Sequence, residues 1–295
     1  MYNERRKSEV ALLGMKSGFA VLIGRSNVGK STLLNALVGS KVAITTPKAQ
    51  TTRHAIHGVV TEEPGQIVFV DTPGVLQKSD QLTKKLLKIV RESLKDIDVI
   101  VYVADPTREI GDEEHQILRM VKDIEKPKIF VINKIDQRRK PFLDNYRDLA
   151  ESFDRIVEVS ALRGSHIGEL KQQIFELLPE GEPYYPAGQL TNMPNDFLIA
   201  ELIREKLYLR LRQELPYQIH VVVDEIEERD NGTLFIAARV ITSEPGHKSM
   251  IIGKGGRGIK EIGQSARKEL EAVTNKKVYL ELEVEVDQHW MEKFI

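Results

Sequence analysis

Gly24-Arg25-Ser26-Asn27-Val28-Gly29-Lys30-Ser31 decides the reading of this chain. It follows an apolar run, Phe19–Ile23, and opens an amphipathic stretch, Lys30–Val38, so it joins a buried strand to a helix. Its glycines let successive backbone N–H groups turn toward one anion, and the positive end of the helix adds to them. In the pattern G-x-x-x-x-G-K-[ST], Lys30 brings a point charge to the β- and γ-phosphates of a nucleotide. The hydroxyl of Ser31 suits Mg²⁺, which keeps several waters and takes few protein oxygens; Thr32 follows on the same loop. The competing reading is a glycine-containing turn with an incidental lysine, and the strand–loop–helix setting argues against it.

Outward from this loop, short apolar runs alternate with amphipathic stretches. Phe19–Ile23, Ile67–Val70, Ile97–Val103, Lys128–Ile132 and Ile156–Val159 read as buried strands, with helices between them and an antiparallel edge strand within Thr51–Thr61. That order predicts an α/β domain, a mostly parallel sheet flanked by helices. It stops at Pro179-Glu180-Gly181-Glu182-Pro183-Tyr184-Tyr185-Pro186, which cannot continue a helix and reads as an extended linker. The expected division is a nucleotide-binding domain over 1–179, a linker over 180–194 and an α+β domain over 195–295. In the last of these, Asp196–Leu215 is helical, with Leu198, Leu202, Leu207 and Leu211 near one face and Asn195 or Asp196 as N-cap. Strands Gln218–Ile226 and Leu234–Thr242, a glycine cluster, a helix around Ile259–Val273 and strand Lys277–Val286 complete an α-β-β-α-α-β order.

Composition sets the outer bounds. The 295 residues include no cysteine, which excludes disulfides, thiolate metal sites and a cysteine nucleophile. Arg5, Arg6 and Lys7 precede an apolar stretch, Val10–Met15, that is too short for a signal sequence, and no run approaches a membrane span, so a cytoplasmic protein is expected. The 43 basic and 44 acidic residues nearly cancel, which argues against nucleic-acid binding unless a local patch is hidden in the sum.

Three further segments stand behind successive strands. Asp71-Thr72-Pro73-Gly74 places a carboxylate beside the phosphate loop, as a Mg²⁺ partner, and the Gly74 N–H within reach of a γ-phosphate. Asn133-Lys134-Ile135-Asp136 offers a carboxylate that accepts from guanine N1–H and the exocyclic amine; adenine would leave that charge unpaired. Lys134 can lay its stem along the base. Ser160-Ala161-Leu162 puts backbone N–H groups near guanine O6. In this order the segments resemble those of TRAFAC-class GTPases of the translation-factor type. The resemblance implies hydrolysis of GTP to GDP and phosphate, with a switch between two conformations. It gives Lys30, Thr52 and Gly74 the catalytic positions, and Ser31, Thr52 and Asp71 the Mg²⁺ positions. Thr51 competes with Thr52 for the Mg²⁺ role in Thr45–Arg53. Asn27 matches relatives that use a monovalent cation such as K⁺, or it only shapes the loop. Val75 stands where many small GTPases carry a water-orienting glutamine, so basal hydrolysis is expected to be slow. His54, His57 and His115 have no metal-ligand spacing.

A second glycine cluster, Ile251-Ile252-Gly253-Lys254-Gly255-Gly256-Arg257-Gly258-Ile259, has the form I-I-G-x-x-G-x-x-I. Gly253 and Gly256 frame a turn that the backbone of single-stranded RNA can approach, while Lys254, Gly255, Arg257 and Lys260 meet phosphates and Ile252 borders the groove. Between Lys248 and Lys277 eight basic residues stand against three acidic ones, which is the hidden patch. A solvated helix–helix loop is the competing reading. The element order resembles a type II KH domain, and Trp290 is read as packing against its sheet.

A GTPase with Lys48-Ala49-Gln50-Thr51-Thr52-Arg53-His54, Val75 in place of glutamine and a carboxyl-terminal KH domain resembles the Era family, bacterial ribosome-assembly GTPases, from about Phe19 to the end. That resemblance implies binding to the single-stranded 3′ end of small-subunit (16S) ribosomal RNA, a role in 30S subunit assembly, a monomer, and peripheral association with the inner face of the membrane. The alternative is an RNA-binding scaffold in which nucleotide is a latch and hydrolysis is incidental.

Overall fold

The computed structural model describes residues 14–75, 81–212 and 214–294; the basic amino-terminal stretch lies outside them. Contacts divide the chain into two compact units, 1–43 with 52–192, and 44–51 with 193–295.

In the first unit, β1 (Lys16–Ile23), β2 (Ile56–Glu62), β3 (Gly65–Asp71), β4 (Val99–Ala104), β5 (Lys128–Ile132) and β6 (Arg155–Glu158) form one sheet in the order β2-β3-β1-β4-β5-β6. Only the β2–β3 pairing is antiparallel. The helices are α1 (Lys30–Val38), α2 (Gln81–Ser93), α3 (Asp112–Lys122), α4 (Leu143–Ala150) and α5 (Ile167–Leu177). Every residue of β3 and β4 is buried, as strands covered on both faces must be. The order reverses at β1, so the crevice beyond its carboxyl end falls where the phosphate loop begins.

The stretch read as a linker is not free of both units. Val59 N–H donates to Leu190 O (2.9 Å), His57 N–H to Asn192 Oδ1 (3.0 Å), and Gln66 and Tyr185 exchange two bonds of 2.9 Å. β2 is an edge strand whose open backbone groups take this extended, proline-bearing chain, and residues up to 192 pack with the first unit.

The second unit runs α6 (Asn195–Arg210), β7 (Ile219–Glu228), β8 (Leu234–Thr242), α7 (Pro245–Ile252), α8 (Arg257–Thr274), β9 (Val278–Val286) and α9 (Trp290–Phe294). β7–β8 is antiparallel, with a shift between Val223 and Glu225, and β8–β9 is parallel. Leu202, Ile203 and Leu207 of α6 and Ile262, Ala266 and Leu270 of α8 close one core with Ile236 and Val240. Trp290 is buried, stacks on His220 and donates through Nε1 to Ser243 Oγ (3.3 Å).

Two expectations for α6 need correction. Pro194 holds the cap position and Asn195 is already helical, so neither Asn195 nor Asp196 is the N-cap. Leu198 is only half-buried, whereas Glu201, Arg204 and Glu205 are buried. The reason is segment 44–51, which covers the polar face of α6. Ile44 enters the core, Thr45 N–H donates to Glu205 Oε1 (3.0 Å), Lys48 Nζ donates to the Tyr208 and Leu211 carbonyls, and Arg204 donates to Thr51 O. Arg204 also pairs with Glu201 through two hydrogen bonds, so the buried charges on this face are matched.

Leu270 is fully buried between α8 and the sheet. Leu270→Ala is expected to cost about 2–5 kcal/mol, the usual penalty for such a cavity, measured by urea unfolding of the full chain.

Candidate functional site

Backbone groups that receive an anion must present N–H inward, which turns their carbonyls outward and obliges each to find a donor. The phosphate loop meets this demand residue by residue. Lys30 Nζ donates to Gly24 O (2.9 Å) and Arg25 O (3.1 Å), Arg108 Nη1 to Ser26 O (3.0 Å), Lys134 Nζ to Asn27 O (2.8 Å) and Asn133 Nδ2 to Val28 O (2.9 Å). Lys30 is thus anchored at the loop's mouth, and burial lowers its pKa to about 8 against the opposing pull of Asp71 and Glu114.

Beside it, Ser31 Oγ donates to Asp71 Oδ2 (2.6 Å) and lies 2.9 Å from Thr52 Oγ1, which is 3.4 Å from the same carboxylate oxygen. Thr52, not Thr51, is therefore the threonine gathered with Ser31 and Asp71; Thr51 Oγ1 bonds Thr46 Oγ1 (2.6 Å) and Lys48 O (2.9 Å). Asp71 is fully buried, and desolvation raises its pKa to about 6 even though Lys30, Ser31, Thr52 and Thr72 oppose the shift. Its Oδ1 has no hydrogen-bond partner among the described residues. Two hydroxyls and a carboxylate with an orphaned oxygen are hard donors of the kind Mg²⁺ takes. After β3 the chain presses directly on the phosphate loop. A Cβ on Gly74 would stand 2.5 Å from Ser26 Cα, and Ser26 N–H donates to Val75 O (3.2 Å). The Val75 side chain is buried in the core.

On the base side, Asp136 Oδ1 accepts from Ser160 Oγ (2.6 Å), and Ala161 N–H donates to Asn133 Oδ1 (3.0 Å). A cleft of about 1100 Å³ joins Gly29 and Thr32 to Asn133, Lys134, Asp136 and Leu162, so the base-reading and phosphate segments share one cavity. The Leu162 side chain is 70% exposed, so this residue can act through its backbone or as a lid rather than as core. Arg25 departs from its neighbours: its side chain turns away from the cleft into the protein and meets Glu114. Asp105 was not anticipated; it accepts Lys134 Nζ at 2.6 Å and so sets where that stem lies. Its position directly after β4 was the available signal, because the other site residues also follow strand ends.

In the second unit α7 ends at Ile252, Lys254–Gly256 make one tight turn, and α8 starts at Arg257. Gly253, Gly255 and Gly256 all have positive φ (71°, 61° and 76°), which side-chain-bearing residues rarely adopt. Lys254, Gly255, Arg257 and Lys260 are exposed at this turn. Next to it a groove of about 370 Å³ runs between α8 and the edge strand β9, lined by Ile259, Lys260, Gly263, Gln264, Arg267 and Leu280. Gln264 adds an amide to the expected set; its spacing from Lys260 and Arg267 on the expected helix was the available signal.

Strand, phosphate loop and helix, with an Asn-Lys-x-Asp segment on the same cleft, define a P-loop GTPase, here joined to a KH-type unit. The family described as 50S ribosome-binding GTPases matches residues 19–134, and the KH domain family matches residues 214–291. The GTPase Era of Halothermothrix orenii is 42% identical over 285 residues, 95% of this chain and 96% of that protein. The GTPase Era of Carboxydothermus hydrogenoformans is 43% identical over the same shares. A crystal structure of Era in complex with MgGDPNP and nucleotides 1506–1542 of 16S ribosomal RNA superposes with a TM-score of 0.88 at 40% identity, covering 95% of this chain and 96% of that one. A point variant of Aquifex aeolicus Era bound to GDP·AlF₄⁻ gives the same TM-score and identity over 95% of this chain and 97% of that one. The chain belongs to the Era family of GTPases, and it hydrolyses GTP.

Gly74→Ala must push its loop off Ser26, since the obstructing atoms are backbone. The expected result is about 1–3 kcal/mol of lost stability together with reduced GTP turnover, read by thermal unfolding and phosphate release.

Proposed function

We propose that this GTPase uses GTP as the signal that sets its grip on the single-stranded 3′ end of 16S ribosomal RNA during small-subunit assembly. One observation carries the switch. Thr52 stands with Ser31 and Asp71, while the residues immediately before it, 44–51, pack as part of the KH-bearing unit. A change at Thr52 therefore pulls on a segment held next to it by Arg204, at Thr51, and at its far end by Glu205, at Thr45. In this reading Ser31, Thr52 and Asp71 hold Mg²⁺, which neutralises charge on the β- and γ-phosphates when bound. Lys30 and the N–H groups of Asn27–Ser31 bind the phosphates, Asp136 reads guanine, and Ser160, Ala161 and Leu162 close over its O6 edge. RNA lies along the α8–β9 groove with its backbone on Gly253–Gly256. This assignment of the RNA partner is supported by the 16S fragment held by the structural relative.

The latch reading draws on Val75, whose buried side chain orients no water. The two readings separate on RNA affinity and turnover. With the RNA 3′ end as probe, the switch predicts binding at least about tenfold tighter with a non-hydrolysable GTP analogue than with GDP, and by linkage the same factor on nucleotide affinity. Equal affinities in the two states defeat it. Turnover that RNA leaves unchanged, despite nucleotide-dependent binding, favours the latch.

Base reading is tested by Asp136→Asn, which is expected to shift preference from guanine toward xanthine nucleotides by about 100-fold or more. The phosphate role of Lys30 predicts a pH profile. With burial lowering the Lys30 pKa to about 8, the group is mostly charged between pH 7 and 8 and binding there takes up little proton. Above pH 8 binding must take up a proton, and affinity falls toward tenfold per pH unit, measured with a fluorescent GDP analogue between pH 7 and 9.

A further inference from the structure

Beneath the phosphate loop lies a buried charge that nucleotide binding and hydrolysis leave unused. The Arg25 side chain is 4% exposed and points away from the cleft. Its Nε lies 3.0 Å from Glu114 Oε1 on α3, Nη1 donates to Glu109 O (2.9 Å) and Nη2 donates to Tyr146 Oη (3.3 Å). Glu114 is fully buried and accepts two phenols besides, from Tyr102 on β4 and from Tyr146 on α4 (3.0 Å). Burial and the Glu114 charge push both phenols well above their ordinary pKa, so they stay protonated donors. The side chain of the second residue of the phosphate loop thus meets α3, α4 and Glu109 before α3, with Tyr102 of β4 behind Glu114.

Such a pair is a poor source of stability. The cost of taking two charges out of water commonly cancels their attraction, and well-packed apolar replacements are often as stable. What the pair can supply is position: a planar guanidinium held at three sites defines where the loop's backbone runs. Arg25 also pairs through its backbone with Val75, and its carbonyl accepts Lys30 Nζ at 3.1 Å, so its placement reaches the phosphate lysine and the loop after β3.

We propose that Glu114 is a positioning residue for the phosphate loop, fixing Arg25 so that the loop stays in its anion-receiving shape when no nucleotide is bound. Pre-organisation of this kind raises affinity by removing the cost of ordering the loop on binding. It rests on the reading of Gly24–Ser31 as the phosphate site, and Lys30→Met serves as the control for that reading. If Lys30→Met binds nucleotide as the parent does, the site reading fails; the Glu114 variants test only the positioning.

The test compares Glu114→Gln, Tyr146→Phe and the apolar set Arg25→Met, Glu114→Leu, Tyr102→Phe, Tyr146→Phe in the full chain. Misplacing a binding group by about 1 Å costs up to 100-fold, so Glu114→Gln is expected to release a fluorescent GDP analogue on the order of tenfold faster. The loss is expected to fall on KM for GTP more than on kcat, because ground state and transition state share the loop. Tyr146→Phe, which keeps both charges, is expected to show a smaller change in the same direction. The apolar set is expected to recover the thermal midpoint of the ligand-free protein while GDP release stays fast. Should the apolar set restore slow release along with stability, the network is only structural and the proposal falls. Unchanged release in Tyr146→Phe together with either of the other two also overturns it, and should Glu114→Gln fail to fold, the remaining variants decide.

Discussion

An anion bound by backbone amides leaves the carbonyls of the same peptides facing the other way, and the architecture of the first unit follows from satisfying them. The donors for Gly24, Arg25, Ser26, Asn27 and Val28 come from Lys30, Arg108, Lys134 and Asn133. Those donors sit in segments that leave three neighbouring strands of the parallel sheet, all at their carboxyl ends. A parallel sheet suits this arrangement because every strand delivers its following segment to the same edge. Asn133 and Lys134 thereby hold the phosphate loop while lining the cleft beside Asp136. The loop Gly24–Ser31 and the segment Asn133–Asp136 are mechanically one structure.

Electrostatics couples the two ends of this polar site. Lys30 and Asp71 are both buried, each desolvated, and each pulls the other's pKa back toward its ordinary value. The orphaned Asp71 Oδ1 marks the unfinished part of that balance. A divalent cation at Ser31, Thr52 and Asp71 would complete it, and the polyanion would complete the other half at Lys30. Burial here is a cost that the ligands repay, which is how a site acquires affinity for charge in a protein with almost no net charge of its own.

The sheet, its order of elements and the residues of the cleft were legible in the sequence because each depends on local signals. Strand runs of β-branched residues, a glycine-framed loop and polar residues directly after strands all act within a few positions. What the sequence did not reveal depends on long-range pairing. The Asp105–Lys134 contact spans 29 residues and the Arg25–Glu114 pair spans 89, and neither carries a spacing rule. The prolines of 179–186 rule out a helix, yet they say nothing about which edge the chain will join; the open side of β2 decided that. The α6 helix misled for the same reason. Its charged residues suggest a solvated face, and only segment 44–51, some 150 residues earlier, turns Glu201, Arg204 and Glu205 inward.

That last feature bears on how the two chemistries could communicate. The proline-bearing connection is held along β2 as far as Asn192, so it belongs mechanically to the first unit. Segment 44–51 is different in kind. It is clamped at Thr45 by Glu205, at Lys48 by the last carbonyls of α6 and at Thr51 by Arg204, and the next residue is Thr52. Short, anchored and free of proline except at Pro47, it has little slack between its clamps and the cluster of Ser31, Thr52 and Asp71. Within the second unit these contacts are costly to give up, because their loss would leave the buried Arg204 without Thr51 O and the buried Glu205 without the Thr45 N–H.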